Sequence, residues 1–250
     1  MPYYTGNAIY NYINENNLDY FFCTKDSWTL IYGDSDSNPK LLAFVSEVED
    51  LSAVISVLEI NQAKYAKKIA ENLSLPFIFI RFQKKSDKLF VILRGKKVII
   101  NYQKLKDIFT KFGVSNSGTP SKPVNQYSSS PYHDWQRNNL GKITVSDLDL
   151  VKFEQDEVVE IIELKRSKIS LEKWRPYEDD FPNFQLIINS ILNSNKNINF
   201  RIYYNLFTND GSGGRVEDIS LIKVFTLSKG DNNVLEIIPN GTFSPEELLK

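Results

Sequence analysis

Residues 145–167 read VSDLDLVKFEQDEVVEIIELKRS, in which charged residues interrupt two apolar segments at regular places. Successive side chains of a β-strand point to opposite faces, so Asp147 and Asp149 would share one face of a first strand. Glu163 and Lys165 would share one face of a second strand, whose other residues are almost all apolar, as in strands buried on both faces. The sequence therefore predicts a β-hairpin that carries charges where burial is expected.

Such a hairpin would bring the carboxylates of Asp149 and Glu163 together near one end of a sheet. Two adjacent carboxylates repel each other, and removal from water makes both charges costlier. A hard divalent cation relieves this conflict, because Mg²⁺ binds one or two carboxylates and keeps several waters. Lys165 would then orient or deprotonate a water and stabilise negative charge on a phosphate. The structural alternative is a surface hairpin whose charges pair across the strands in water.

This pattern resembles the PD-(D/E)XK nuclease superfamily, through SDLDLV at residues 146–151 and ELK at residues 163–165. That superfamily includes many restriction endonucleases, Holliday-junction resolvases and phage exonucleases. Its fold is a mixed sheet flanked by helices in αβββαβ order. The proline of the family name is absent, since Leu148 precedes Asp149, but that position varies within the superfamily.

The resemblance implies that Asp149 and Glu163 hold Mg²⁺ or Mn²⁺. Asp147 is a further candidate ligand, instead of Asp149 or beside it. Lys165 would be the catalytic lysine, and Gln185 matches a polar residue that the superfamily often carries on the helix after the lysine strand. Four other side chains are candidates for binding substrate phosphates: Arg166, Lys168, His133 and Arg137. A lone histidine such as His133 is, however, more often structural than functional.

The chain is punctuated by a segment of small, polar and proline residues at 113–132, which is typical of a linker. It separates an N-terminal α/β domain, residues 1–112, from a C-terminal nuclease-like domain, residues 133–250. Each half is predicted to contain a helix, strands, a second helix, more strands and a short helix, which favours a duplicated α/β unit. With the resemblance, this predicts an α/β fold of two similar restriction-endonuclease-like units, each a central mixed sheet flanked by helices.

The N-terminal half lacks the complete set of charged residues. Its strand at residues 40–50 offers Glu47 and Glu49 where the C-terminal half has Glu163 and Lys165. We therefore expect this half to be non-catalytic. Between Ala63 and Lys111 it carries thirteen Lys or Arg against three acidic residues, an excess that either attracts phosphate or forms a solvated surface.

The bulk composition is typical of a soluble globular protein, with 42% hydrophobic residues, 24% charged residues and a formal net charge of −1. Cys23 is the only cysteine and His133 the only histidine, which excludes an intrachain disulfide, a cysteine-based zinc site and a histidine-rich metal cluster. The first residues lack the features of a signal peptide, and no window is apolar enough to span a membrane. We expect a cytoplasmic protein without a membrane partner.

The function that the sequence favours is metal-dependent hydrolysis of phosphodiester bonds in nucleic acid, with DNA favoured over RNA by the resemblance. Cleavage of both strands of a duplex would need a homodimer or two successive nicks, because the sequence predicts one intact site. One alternative is a non-catalytic nucleic-acid-binding or assembly protein with a nuclease-like fold. Another is a nuclease that acts on RNA.

Overall fold

The computed structural model describes residues 7–24, 26–84, 86–114, 131–211, 214–230, 232 and 234–249. Within these ranges the protein is α/β, with two mixed sheets of six strands each. The α/β prediction with mixed sheets is therefore confirmed. No helix in the described part of the chain is long and apolar enough to cross a bilayer.

The secondary structure elements are numbered here in chain order. The helices are α1 (Ala8–Glu15), α2 (Val57–Asn72), α3 (Tyr102–Lys111), α4 (Pro131–Asn139), α5 (Phe181–Ser194) and α6 (Pro245–Leu249), with a 3₁₀ helix at Glu178–Asp180. The strands are β1 (Tyr20–Phe21), β2 (Ser27–Gly33), β3 (Pro39–Val48), β4 (Phe77–Gln83), β5 (Lys88–Leu93), β6 (Lys96–Asn101), β7 (Thr144–Asp147), β8 (Leu150–Glu154), β9 (Glu157–Ser167), β10 (Asn199–Asn209), β11 (Arg215–Lys229) and β12 (Leu235–Phe243).

The chain divides into two compact units. Unit 1 comprises Met1–Phe22, Leu148–Phe181 and Asn197–Lys250, and unit 2 comprises Cys23–Asp147 and Pro182–Lys196. Neither unit coincides with the predicted domains, because each takes segments from both halves of the chain. The predicted linker falls mostly on residues 115–130, which lie outside the described residues.

The two sheets have the same strand order and the same sense of pairing. In unit 1 the order is β1-β8-β9-β10-β11-β12, and in unit 2 it is β7-β2-β3-β4-β5-β6. The third and fourth strands of each sheet are parallel, joined in the chain through α5 or α2, and all other neighbours are antiparallel. In each sheet the first edge strand comes from the other half of the chain than the remaining five strands. This strand and the helix before it are α1 and β1 in unit 1, and α4 and β7 in unit 2.

The core of unit 1 shows why α1 belongs there. Asn7 caps the helix by accepting a hydrogen bond from the Ile9 N–H group, at 2.9 Å. Ile9, Tyr10 and Ile13 are buried on one side of α1 and pack against apolar residues of β8, β9, β10 and β11. A helical spacing of apolar residues thus supplies one layer over the sheet.

The prediction that Asp147 and Asp149 lie on one continuous strand is wrong. The segment is divided into β7, which pairs with β2 in unit 2, and β8, which pairs with β1 and β9 in unit 1. Asp147 ends β7, while Asp149 immediately precedes β8. The two aspartates therefore do not share a face of one strand. The sequence did not reveal the break, because apolar residues continue to alternate across it.

Replacement of Ile9 by Ala tests the position of α1 in this core. We expect Ile9→Ala to lower the free energy of unfolding by about 2–5 kcal/mol, since it removes buried methyl groups and leaves a cavity. Asn11→Ala, at an exposed position of the same helix, should change it by less than about 0.5 kcal/mol. Urea denaturation measures both, and equal effects of the two substitutions would contradict this packing.

Candidate active site

A tight turn and a β-bulge together set the register of β8 and β9 at the candidate site. Gln155 and Asp156 have positive φ angles of 50° and 70°, as the central residues of a tight hairpin turn require. A β-bulge between Lys152 and Phe153 then shifts the antiparallel register by one residue, so that Leu150 pairs with Ile162. A change of this register by one residue would move the charged side chains to the other face of the sheet.

Three of the predicted catalytic side chains share one face of unit 1. Continuing the register one residue beyond Leu150 places Asp149 across from Glu163. Lys165 follows two residues later on β9 and therefore points to the same face as Glu163. The structure thus places Asp149 just before β8 and opposite Glu163, with Lys165 two residues further along β9 on the same face as Glu163.

A fourth charged side chain, Asp180, completes this cluster. The Lys165 ammonium nitrogen lies 2.9 Å from Glu163 Oε1 and 3.0 Å from Asp180 Oδ2. Asp180 belongs to the 3₁₀ helix before α5. We name Asp149, Glu163, Lys165 and Asp180 the acid–lysine cluster.

Asp149 is held in place through both its side chain and its backbone. Its carboxylate accepts a hydrogen bond from the Leu164 N–H group at 2.9 Å, and its backbone carbonyl accepts one from the Tyr10 hydroxyl at 2.8 Å. Only 4% of the residue is exposed. Because Tyr10 lies in the core of unit 1, α1 helps to position the first carboxylate of the cluster.

The charges of the cluster keep Lys165 protonated. Burial alone would lower the pKa of the Lys165 ammonium, but the nearby carboxylates of Glu163 and Asp180 outweigh burial and raise this pKa above its ordinary value. An ammonium with a raised pKa does not accept a proton from water at neutral pH. Of the two roles predicted for Lys165, this environment supports charge stabilisation and disfavours deprotonation of water.

The carboxylate oxygens of the acid–lysine cluster are of the type that hard cations bind, although two of its carboxylates pair with the Lys165 ammonium in this structure. Among the described residues, no set of three or more His, Cys, Asp or Glu side chains is arranged to hold a metal ion. Mg²⁺ needs only one or two protein carboxylates, because it keeps several waters. Asp149 and Glu163 offer carboxylate oxygens of this kind, next to a position where Lys165 already supplies positive charge.

Two other predicted residues, Asp147 and Gln185, belong to unit 2. Asp147 lies at the end of β7, opposite Leu30 of β2. Gln185 lies on α5, where its amide nitrogen donates a hydrogen bond to Asn189 Oδ1 at 2.9 Å. A metal-binding role for Asp147 and a catalytic role for Gln185 stay predictions.

The predicted phosphate-binding residues of unit 1 differ in their environments. The Arg166 guanidinium pairs with the Glu217 carboxylate, and both side chains are almost completely buried. Glu217 also accepts a hydrogen bond from the Ala8 N–H group at the start of α1, at 3.1 Å. Arg166 therefore has a structural position rather than the exposed one that phosphate binding needs. Lys168 is exposed, as that role requires.

His133 and Arg137 lie on α4 in unit 2. The His133 ring packs edge-on against Trp28, with ring centroids 5.0 Å apart. Burial lowers the pKa of His133 below its ordinary value, because the protein interior disfavours the imidazolium. This environment is that of a packed, neutral histidine. Nη1 of Arg137 is buried without a hydrogen-bond partner among the described residues.

Unit 2 carries a pair of serines, Ser27 and Ser46, on the face of its sheet that corresponds to the face of Asp149 and Glu163. In each unit the helix before the first edge strand packs on one face of the sheet, α1 over Leu150 and α4 over Val45. On the face of unit 2 that α4 does not cover, Ser27 of β2 pairs with Ser46 of β3. In unit 1 the register likewise places Asp149 across from Glu163.

The predicted correspondence of Glu47 and Glu49 with Glu163 and Lys165 is therefore wrong by one residue. Glu47 lies on the face that α4 covers, next to Val45 in the alternation of β3, and its carboxylate pairs with Lys84 at 2.7 Å. By the same alternation Val48 is the counterpart of Lys165. Serine and valine cannot bind a divalent cation as carboxylates do, which supports a non-catalytic unit 2.

Sequence reasoning missed Asp180. The residue follows Glu178 and Asp179 in a segment without periodicity, and three consecutive acidic residues gave no indication of which one turns towards β9. The run of acidic residues directly before α5 was the available signal.

Comparisons with known proteins do not identify the chain. No protein-family model matches it, and no curated protein matches it. The C-terminal domain of the sex pheromone staph-cAM373 precursor from Staphylococcus aureus is 11% identical, with a TM-score of 0.16 over 85% of this chain and 70% of that one. A proposed phenazine biosynthesis PhzC/PhzF protein from Clostridium difficile strain 630 is also 11% identical, with a TM-score of 0.19 over 87% of this chain and 98% of that one.

A sex pheromone precursor from Lactobacillus salivarius is again 11% identical, with a TM-score of 0.14 over 81% of this chain and 62% of that one. At TM-scores this low, these similarities carry no argument about fold or function.

The partly buried, packed position of His133 predicts a pH dependence of stability. Its pKa is lower in the folded than in the unfolded protein, so the unfolded state binds the proton first as the pH falls below about 6.5. The stability that neutral His133 contributes is therefore lost from that pH downward. We expect His133→Gln to weaken the loss of stability between pH 7 and pH 5, measured as urea midpoints. An unchanged pH dependence would contradict a buried neutral histidine.

Proposed function

We propose that this protein is a metal-dependent nuclease of the PD-(D/E)XK type whose active site is the acid–lysine cluster of unit 1. The observation that carries the proposal is the convergence of Asp149, Glu163 and Lys165 on one face of β8 and β9. These are the residue types and the spacing that the resemblance implies for cation binding and phosphate chemistry. The substrate favoured by the resemblance is DNA.

The arrangement of strands supports the same proposal. The superfamily order αβββαβ fits the succession α1, β1, β8, β9, α5 and β10 along the chain, although residues 182–194 of α5 fall in unit 2. In this succession β9 and β10 are parallel and the other paired strands are antiparallel. The same succession in unit 2 supports two restriction-endonuclease-like units, of which one keeps the charged residues. In both cases the helix and the first strand come from the other half of the chain.

In the proposed mechanism, Asp149 and Glu163 would hold Mg²⁺ or Mn²⁺, and the bound ion would supply an activated water and a Lewis acid. Asp149 is held in one orientation by the Leu164 N–H group. The Lys165 ammonium would stabilise the negative charge that develops on the phosphate oxygens. The substrate phosphate would lie over the ends of β8 and β9.

The energetics of burial favour a functional over a purely structural reading of these charges. The side chains of Glu163 and Lys165 are largely buried, at 12% and 22% exposure. Partly buried ion pairs contribute little net stability, because desolvation offsets much of the attraction. Apolar side chains at these positions of β9 would serve packing as well, so the charges are best explained by a use.

The second candidate function is nucleic-acid binding or assembly without cleavage. The observation that favours it is that Lys165 already pairs with two carboxylates, so the cluster is neutralised internally to a large extent. Exposed basic residues of unit 2 would provide the phosphate contacts: Lys64, Lys88, Arg94, Lys96, Lys97 and Lys111. Such a binder would retain nucleic acid equally with Mg²⁺ and with a chelator.

Substitutions in the acid–lysine cluster test the nuclease proposal. We expect the parent protein with Mg²⁺ to cleave DNA, and Glu163→Gln and Lys165→Met each to reduce the rate at least about 100-fold, because each removes a charge that acts in the transition state. Glu157→Gln, at an exposed position of the same strand, is the matched control and should leave the rate unchanged. Cleavage of single-stranded DNA, duplex DNA and RNA is measured side by side on gels.

Two results would contradict the proposal in different ways. Equal cleavage by the Lys165→Met protein and its parent would place the active site elsewhere. Retention of nucleic acid without cleavage by the parent, with or without Mg²⁺, would support the non-catalytic alternative. Preferential cleavage of RNA would keep the mechanism and change the substrate.

A further inference from the structure

The segment that connects β9 to the 3₁₀ helix is anchored by a buried lysine. Lys223 of β11 is 8% exposed, and its ammonium donates to the backbone carbonyl oxygens of Leu171, Glu172 and Trp174, at 2.6, 3.3 and 3.3 Å. Each of these bonds to a charged donor is stronger than a neutral one. An ammonium surrounded by carbonyl groups fixes the course of this segment.

Aromatic stacking anchors the same segment a second time. The Trp174 ring, 1% exposed, lies flat on the Tyr204 ring, with centroids 4.1 Å apart and planes 2° from parallel. Tyr204 is the β10 residue paired with Lys165 of β9. Its hydroxyl also hydrogen-bonds to Ser167 Oγ at 2.8 Å and to the Ile169 carbonyl. The segment is therefore tied to the strand beside the acid–lysine cluster.

These anchors lead directly to Asp180. The 3₁₀ helix that contains it follows Trp174 within a few residues, and Asp180 places a carboxylate oxygen 3.0 Å from the Lys165 ammonium. Its neighbour Asp179 is exposed. Because the path of the chain is fixed by buried contacts, the position of Asp180 is built into unit 1 rather than left to a loose surface loop.

We propose that Asp180 is a positioning residue that keeps the Lys165 ammonium at the reaction site while Glu163 binds a divalent cation. This inference rests on the proposed function and adds a residue that the resemblance does not supply. When Glu163 donates its charge to a cation, that cation repels the ammonium, and the pair between Lys165 and Glu163 weakens. Lysine has a flexible four-carbon side chain, so a second carboxylate is needed to hold it. Asp180 provides that carboxylate.

Steady-state kinetics of Asp180→Asn with Mg²⁺ test the proposal. Loss of a charge-assisted contact should lower kcat roughly 10- to 100-fold and leave KM within about twofold, because a positioning residue acts on the transition state rather than on substrate binding. Asp179→Asn is the matched control and should behave like the parent. Asp180→Glu keeps the charge and should restore part of kcat. An unchanged kcat, or a change in KM alone, would overturn the proposal.

A second substitution separates positioning from folding. Lys223→Met should release the segment and lower kcat in the same way, with faster hydrogen exchange at residues 171–180. Asp180→Asn should leave exchange in that range unchanged, since the anchors at Trp174 and Lys223 remain. If Asp180→Asn itself accelerated exchange across the whole range, its kinetic effect would be structural, and the proposal would be overturned.

The mobility of Lys165 provides a readout that does not require cleavage. Carbon-13 relaxation of the lysine side-chain CH₂ groups, assigned with Lys165→Met, reports how firmly this side chain is held. With Mg²⁺ present, we expect Lys165 to be ordered in the parent and mobile in Asp180→Asn. Equal order in the two proteins would overturn the proposal. A parent protein that cleaves nothing but shows this difference would contradict the proposed function and leave the positioning role standing.

Discussion

An ammonium held between two carboxylates is the interaction on which this account depends. Lys165 and Glu163 lie on β9, whose other side chains are mostly buried and apolar. The second carboxylate that Lys165 contacts, Asp180, lies on the 3₁₀ helix. Partly buried charges are a poor way to stabilise a sheet, because desolvation offsets most of their attraction. They are an effective way to present positive charge to a phosphate next to oxygen ligands for a cation. The cluster is therefore the feature of the fold on which the proposed phosphodiester chemistry rests.

The rest of unit 1 keeps this cluster in register. A tight turn with two positive φ angles and a one-residue register shift after it align β8 with β9. The Tyr10 hydroxyl holds the backbone of Asp149, and Tyr10 reaches it from a helix that belongs to the first half of the chain. The exchange of α1–β1 and α4–β7 between the halves makes each unit dependent on both halves. A fragment that begins at residue 133 would lack the helix that positions its own aspartate.

The sequence was sufficient for features that depend on local alternation. The face shared by Glu163 and Lys165, and the α/β class with mixed sheets, follow from periodicity along single strands. Three features depend on contacts between distant segments and could not be derived this way. These are the break between Asp147 and Asp149, the position of Ser46 rather than Glu47 on the face that corresponds to that of Glu163, and the approach of Asp180 to the cluster. Strand partners and the face that a helix covers decide all three.

The most direct test of the central claim is to locate a bound cation. A crystal of the protein grown with Mn²⁺ and measured at the manganese absorption edge reports the ion by its anomalous signal. This account predicts a peak about 2–2.5 Å from carboxylate oxygens of both Asp149 and Glu163, with the Lys165 ammonium beside it. An empty cluster at saturating Mn²⁺, with Lys165 still bridging Glu163 and Asp180, would contradict the account.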